Sequence, residues 1–377
     1  MNFTDIVALD SVKRKLQQEF VDGKIPHALM LCGPAGNGAL PLALAYAKLL
    51  LCKSPEGAQP CCQCSSCAMS DVLAHPDMHF VFPIYKRNGS SKPTYCDEFV
   101  NEWRDMVLAK PYADLADWME CSGATTQQLM IYESESSEII RKLSMKATQG
   151  DRKIMLIWLP EKMHEVCANK ILKVLEEPYP GTVFILVCEH PEALLATIRS
   201  RVQTVDVPPL SPKDIDSLLV ERYGVLQAEA SRISRAVDGN VALAMRIIKG
   251  EDSFSDFFEL FKDVMRMAYS RNVKGMKAWS EQVASLPREQ QKAFLDYFQR
   301  MIRESFVFNF HNSQLNYLSD DEQAFVAKFS PFVNERNIMG IFEQLSLVQR
   351  QIQQNASAKI VLFDFALKLI VYIVKNN

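Results

Sequence analysis

An α/β domain built on a parallel sheet, followed by helical segments, is the fold the sequence predicts, and three observations predict it. Ala28-Leu29-Met30-Leu31-Cys32 is an unbroken apolar run suited to a strand buried on both faces; a glycine-rich turn follows, then a helical pattern over Leu42 to Leu50. Strand-like runs then alternate with amphipathic helices through about residue 207, the rhythm of a parallel sheet with crossover helices. Pro208-Pro209-Leu210-Ser211-Pro212 reads as a linker, and beyond it strand signals fade into helical spacing.

The turn is Gly33-Pro34-Ala35-Gly36-Asn37-Gly38-Ala39-Leu40, which fits the phosphate-loop template G-x-x-x-x-G-K-[ST] in its glycines and departs from it at both final positions. Gly33, Gly36 and Gly38 let successive N–H groups and the following helix N-terminus face a phosphate. Ala39 stands at the Lys position and Leu40 at the Ser/Thr position. The expectation is a cradle without the cation for the phosphates and without the hydroxyl for Mg²⁺. A glycine-rich turn that never meets a nucleotide is the plainer reading, and the strand and helix around it favour the loop.

The chain has 377 residues, enough for two or three domains, with 48% hydrophobic and 23% charged residues and a formal net charge of −3. That balance excludes a strongly basic chain built to grip nucleic acid on its own. No basic, apolar and small-residue succession marks an export signal, and Ile360 to Val374 is broken by Asp364 and Lys368, so a cytoplasmic chain without membrane contact is expected. Five of the ten cysteines fall within 52–67. Cys52, Cys61, Cys64 and Cys67 form C-x8-C-x2-C-x2-C, a set suited to one tetrahedral, structural zinc with Cys62 spare; free or redox-active thiols are the alternative. Four thiolates leave no open position for water, which argues against a zinc hydrolase.

Residues 1–27 predict a turn and an amphipathic helix, and His27 is assigned no chemistry. His75-Pro76-Asp77 opens a strand over Met78 to Pro83, and Lys86 to Pro93 is a polar basic loop, read as solvated. Trp103, Met106, Val107, Tyr112, Leu115 and Trp118 predict one or two helices inside an insertion spanning 75–130. A helix over Ser136 to Ala147, a strand over Lys153 to Trp158, a helix from about His164 to Leu175, a strand over Thr182 to Cys188 and a helix and turn over Pro191 to Arg201 complete the rhythm. Trp158 ends the strand where an ATPase carries an acidic residue, and Glu161 is the nearest carboxylate after it. Phe254, Phe257, Phe258, Phe261, Val264 and Met265 follow helical spacing and read as core.

Together these residues resemble the bacterial delta-prime subunits of the DNA polymerase III clamp loader, a family of AAA+ sliding-clamp loaders. The resemblance covers most of residues 1–250. It rests on Pro26-His27-Ala28, the altered phosphate loop, the four cysteines, His75-Pro76-Asp77, the run Ala168-Asn169-Lys170-Ile171-Leu172-Lys173-Val174-Leu175-Glu176-Glu177-Pro178, and Leu194-Leu195-Ala196-Thr197-Ile198-Arg199-Ser200-Arg201. Asn355 to Leu367 looks like the family's closing helix.

The resemblance implies an AAA+ P-loop-like domain over 1–207 carrying the zinc module at 52–67, a small helical lid over 208–250, and an all-α, collar-type oligomerisation domain over 251–377. It implies a non-catalytic ring subunit that hydrolyses no ATP at its own site and helps load a sliding clamp onto primed DNA. Its partners would be ATP-hydrolysing motor subunits and a clamp-opening subunit, with the clamp and DNA reached through the complex. Arg201, in Ser200-Arg201-Val202 where the family has Ser-Arg-Cys, would reach in trans into a neighbour's ATP site; an Arg that merely pairs at the surface is the alternative. Cys188 and Ala242 stand where polar and arginine sensors are expected. An active ATPase with an atypical loop is the competing function, and the losses at Ala39, Leu40 and Trp158 weigh against it.

Overall fold

The computed structural model describes residues 1–86, 93–124, 127–249, 254–310, 316, 318–354 and 356–374. Most of the polar loop after Lys86, the boundary near residue 250 and Asn355 thus lie outside the described residues. The chain divides into two compact units, Met1–Met245 and Arg246–Asn377.

In the first unit a short turn, Phe3–Asp5, precedes α1 (Asp10–Val21), β1 (Ala28–Cys32), α2 (Ala39–Leu51), α3 (Ser65–Asp71) and β2 (Met78–Val81). The segment between β2 and the next helix supplies α4 (Val100–Ala109) and α5 (Leu115–Ser122); β2 itself, within the stretch 75–130 read from the sequence as an insertion, belongs to the central sheet. Then come α6 (Glu133–Ser144), β3 (Lys153–Trp158), α7 (Glu165–Glu176), β4 (Thr182–Cys188), α8 (Ala196–Arg199) and β5 (Gln203–Asp206). Past the proline-rich linker lie α9 (Pro212–Tyr223), α10 (Gln227–Ala236) and α11 (Val241–Ile248).

The strands form one sheet in the order β2-β3-β4-β1-β5, and every pair is parallel. Parallel neighbours need long crossovers, which the helices provide. Ala28 pairs with Phe184 and Cys32 with Cys188, so β1 and β4 end level, with the glycine loop leaving directly from the end of β1. Every residue of β1, β3 and β4 is buried, as is every residue of α2, which explains why those runs read as continuously apolar. This is the α/β domain with a parallel sheet expected from the sequence.

Two details differ from expectation. β5 gives no apolar run because only Val205 of its four residues is buried. α6 lies three residues earlier than its spacing suggested, and its C-terminal end is fixed by a distant residue: the buried Lys153 ammonium donates to the carbonyls of Leu143 and Met145.

The second unit contains α12 (Phe254–Ser270), α13 (Val273–Ser285), α14 (Arg288–Phe308), α15 (Asp320–Phe329), α16 (Ile338–Gln353) and α17 (Ala358–Val374). Its core is aromatic: Phe261 meets Phe298 edge-on at 4.9 Å between ring centroids, and Phe298 meets Phe365 at 5.2 Å. Phe257, Phe261, Val264 and Met265 are buried on one face of α12, the core role their spacing predicts. On α17, Leu362, Phe365, Ala366, Leu369 and Ile373 point inward. Among the described residues no helix is long and apolar enough to cross a membrane.

Candidate functional site

Three features of the first unit carry the candidate chemistry: the glycine loop, the cysteine group and Arg201.

The loop is tied down by protein groups. Gly33 N–H donates to the Cys188 carbonyl at 3.1 Å, so the loop starts from the sheet ladder. Asn37, 2% exposed, donates through Nδ2 to the Val207 carbonyl at 2.8 Å and accepts at Oδ1 from the Ala39 N–H at 3.0 Å. That last amide belongs to the α2 N-terminus, where a phosphate would look for donors. Gly38 caps α2 with φ +99, a left-handed conformation that favours glycine. From the start of α11, Val241 N–H donates to the Gly36 carbonyl at 3.1 Å, and a Cβ on Gly36 would come within 2.0 Å of Asn240 Oδ1. Ala242 is buried in this corner.

The side chains nearest the loop's end are apolar. Ala39 and Leu40 are 5% and 4% exposed, and Trp158 is buried at the end of β3. Glu161 Oε1 accepts the N–H groups of Glu189 and His190 at 3.0 and 3.2 Å and so secures the chain leaving β4. The Cys188 thiol is pushed up by its hydrogen bond with Cys32 and by burial, so it stays neutral. The space left above the loop, lined among others by Gly38, Leu40, Tyr112 and Trp158, measures about 20 Å³. That is room for about one water molecule.

The cysteine group is assembled as the spacing predicts. The sulfurs of Cys52, Cys61, Cys64 and Cys67 lie within 4.8 Å of one another, with Cys52 and Cys61 sulfurs 3.5 Å apart. Four sulfurs at about 2.3 Å from a tetrahedral ion stand about 3.8 Å apart, so the donor set fits such an ion. Backbone N–H groups of Cys61 and Cys67 donate to the Cys52 and Cys64 sulfurs at 3.3 and 3.4 Å, which favours thiolate. Burial opposes this at Cys64, but hydrogen bonds from the Lys53 and Cys67 backbone and from the Cys61 and Cys67 thiols bring it down to about 6. Cys62, at φ +57, turns its thiol toward the Pro60 carbonyl and Asn2 and stands outside the group. These four residues can hold a metal ion.

His75-Pro76-Asp77 ties this module to the sheet. His75 Nε2 and Ser66 Oγ, the latter on α3 between two of the thiols, are 2.5 Å apart. Both Asp77 carboxylate oxygens accept backbone N–H groups, from Thr148 at 2.6 Å and Gln149 at 2.7 Å, in the loop entering β3.

Arg201 sits on the turn after α8 with a side chain 33% exposed. Its Nε donates to Glu176 Oε1 at 2.5 Å and its Nη1 to the Thr197 carbonyl at 2.8 Å. Two separate sequence runs, the end of α7 and the turn after α8, thus meet in one ion pair. Sequence reasoning singled out Arg201 but not its partner, and it missed Asn37 and Tyr112, for which periodicity holds no distinguishing signal.

The family described as DNA polymerase III, delta subunit, matches residues 9–211. The chain is 27% identical over 241 residues to the DNA polymerase III subunit delta' of Bacillus subtilis, covering 64% of this chain and 59% of that one. It is 30% identical over 195 residues to the subunit delta' of Yersinia pestis, covering 51% and 45%. It therefore spans about half the length of these curated relatives. Among solved structures, a gamma subunit-related protein from Thermotoga maritima matches with a TM-score of 0.40 and 16% identity over 95% of this chain and 98% of that one.

Proposed function

Since the chain belongs to the DNA polymerase III delta-prime family, we propose that it is a non-catalytic subunit of the clamp loader that lends Arg201 to a neighbouring ATPase subunit. The observation that carries this reading is the contrast between two places in the first unit. The loop has a methyl group, an isobutyl group and an indole where phosphate, Mg²⁺ and water chemistry need an ammonium, a hydroxyl and a carboxylate. Arg201, in contrast, remains at the surface on a short turn, held by its fork on Glu176 and the Thr197 carbonyl. Loss at independent positions with retention of the outward-facing charge is what a donor of charge in trans requires. The same contrast counts against an active ATPase with an atypical loop.

Within the ring, the guanidinium would approach the γ-phosphate on a motor subunit and stabilise charge developing on its oxygens. The helical region, Arg246–Asn377, is compact around its own aromatic core and would serve as the oligomerisation domain. The clamp-opening subunit, the sliding clamp and primed DNA would be engaged through the assembly. Zinc is the ion we assign to Cys52, Cys61, Cys64 and Cys67; bound there it supplies cross-linking and no open position for chemistry.

The test is the DNA- and clamp-stimulated ATPase of the reconstituted complex. Arg201→Ala is expected to leave assembly intact by size-exclusion chromatography and to slow turnover about tenfold or more at the affected site. Wild-type rates in a fully assembled Arg201→Ala complex would remove the finger role.

A further inference from the structure

The turn between α4 and α5 enters the glycine loop from the insertion. Asp114 caps α5 by accepting the N–H groups of Ala116 and Asp117 at 3.0 and 3.1 Å, and the Ala113 N–H closes back on the Lys110 carbonyl at 2.9 Å. The turn so fixed points Tyr112 inward, leaving it 7% exposed. A Cβ placed on Gly38 would stand 3.2 Å from Tyr112 Cε1, so the ring lies against the backbone of the loop's last glycine. The Tyr112 hydroxyl accepts the Val7 N–H at 2.9 Å. The next two residues, Ala8 and Leu9, hold left-handed φ values of +50 and +60, a strained stretch that needs such anchoring. From the same insertion, the buried Trp103 reaches Trp158 at the end of β3, with ring centroids 6.5 Å apart.

We propose that the α4–α5 turn is a built-in occupant of the phosphate cradle, with Tyr112 as its plug. The ring takes the space above Gly38, Asn37 takes the Ala39 amide, and Trp103 backs the indole at the end of β3. Nucleoside di- and triphosphates are kept out by occupation of the site, over and above the absence of Lys and Ser/Thr at positions 39 and 40. The N-terminal segment, the loop and the insertion then keep one arrangement whatever the nucleotide concentration. This inference rests on reading the loop as a retired nucleotide site.

Plugging and missing chemistry are separated by restoring the chemistry. A double variant of the full chain, Ala39→Lys with Leu40→Thr, and the same pair with Tyr112→Ala added, are titrated with N-methylanthraniloyl-ADP and Mg²⁺ after circular dichroism establishes folding. The pair alone is expected to bind no better than wild type; adding Tyr112→Ala is expected to tighten binding at least about tenfold, because a site open for a small fraction of the time loses affinity by that fraction. Binding by the pair with Tyr112 in place, or no gain in the triple variant, would overturn the plug and leave the retired-site reading standing. ATP turnover by the wild-type chain would sink that reading instead. Should the restored variants fail to fold, Tyr112→Phe decides by hydrogen exchange. The ring stays and the hydroxyl goes, so the Val7 amide is expected to exchange roughly fivefold faster; an unchanged rate overturns the anchoring.

Discussion

Ala39, Leu40 and Trp158 are the side chains on which the proposed non-catalytic role turns, each buried beside or behind the glycine loop. The isolated protein is expected to show no ATPase activity, and Ala39→Lys alone is expected to restore none, because the end of β3 still lacks its carboxylate. Steady-state phosphate release by the repurified variant checks this, and brisk hydrolysis would mean that Trp158 is not the position that matters. A second residue-scale expectation concerns His79 on β2. Burial, aided by the positive charge of Lys142, pushes its imidazole down to about 4, below the ordinary value of 6.5. Below pH 6.5 the unfolded chain therefore takes up a proton that the folded chain refuses, so stability is full above 6.5, falls as the pH drops, and levels off below about 4. The total is on the order of 3 kcal/mol. Urea denaturation at pH 7 and pH 5 is expected to show a smaller acid loss in His79→Gln than in wild type; parallel losses would assign the acid sensitivity to other groups.

Among the elements, β1, β3 and β4 were legible to the residue, because strands buried on both faces are continuous apolar runs. β5 was not, since one buried valine leaves no pattern. Spacing alone brought out the four thiols, two of which share a turn of α3. The insertion's helices were legible as helices and their purpose was not: Trp103 and Tyr112 look like any core aromatics until the fold brings one to β3 and the other to the loop. Asn37 was equally silent, since an asparagine in a glycine loop announces a turn and not the partner it bonds across the sheet. The thiol module offers an element-scale test. Metal analysis is expected to return about one equivalent of zinc per chain, and Cys64→Ser to lose it together with local stability. Unchanged metal content would refute the ligand set. Because His75 and Asp77 link α3 to the entrance of β3, hydrogen exchange in that variant is expected to rise at residues 146–150 as well as in the module.

For the whole molecule, the proposed role sorts the site's side chains by whom they would serve. Under the proposed role, Ala39, Leu40 and Trp158 put hydrocarbon around the chain's own loop, while Arg201 keeps its charge at the surface. Arg201→Lys in the reconstituted complex is expected to rescue turnover poorly relative to Arg201→Ala, since an ammonium cannot reproduce the planar fork; full rescue would reduce the contribution to a point charge. The Glu176 pairing has a further consequence for how such a subunit lives before and between encounters. In the free chain the guanidinium is already sheathed by a carboxylate of its own, so it does not wander the solvent as a bare cation open to any passing anion. If Arg201 acts in trans as proposed, docking is a handover from one oxyanion to another, with little net change in ion pairing. A handover of that kind would reverse easily, since Glu176 stands ready to take the arginine back when phosphate leaves the neighbouring site.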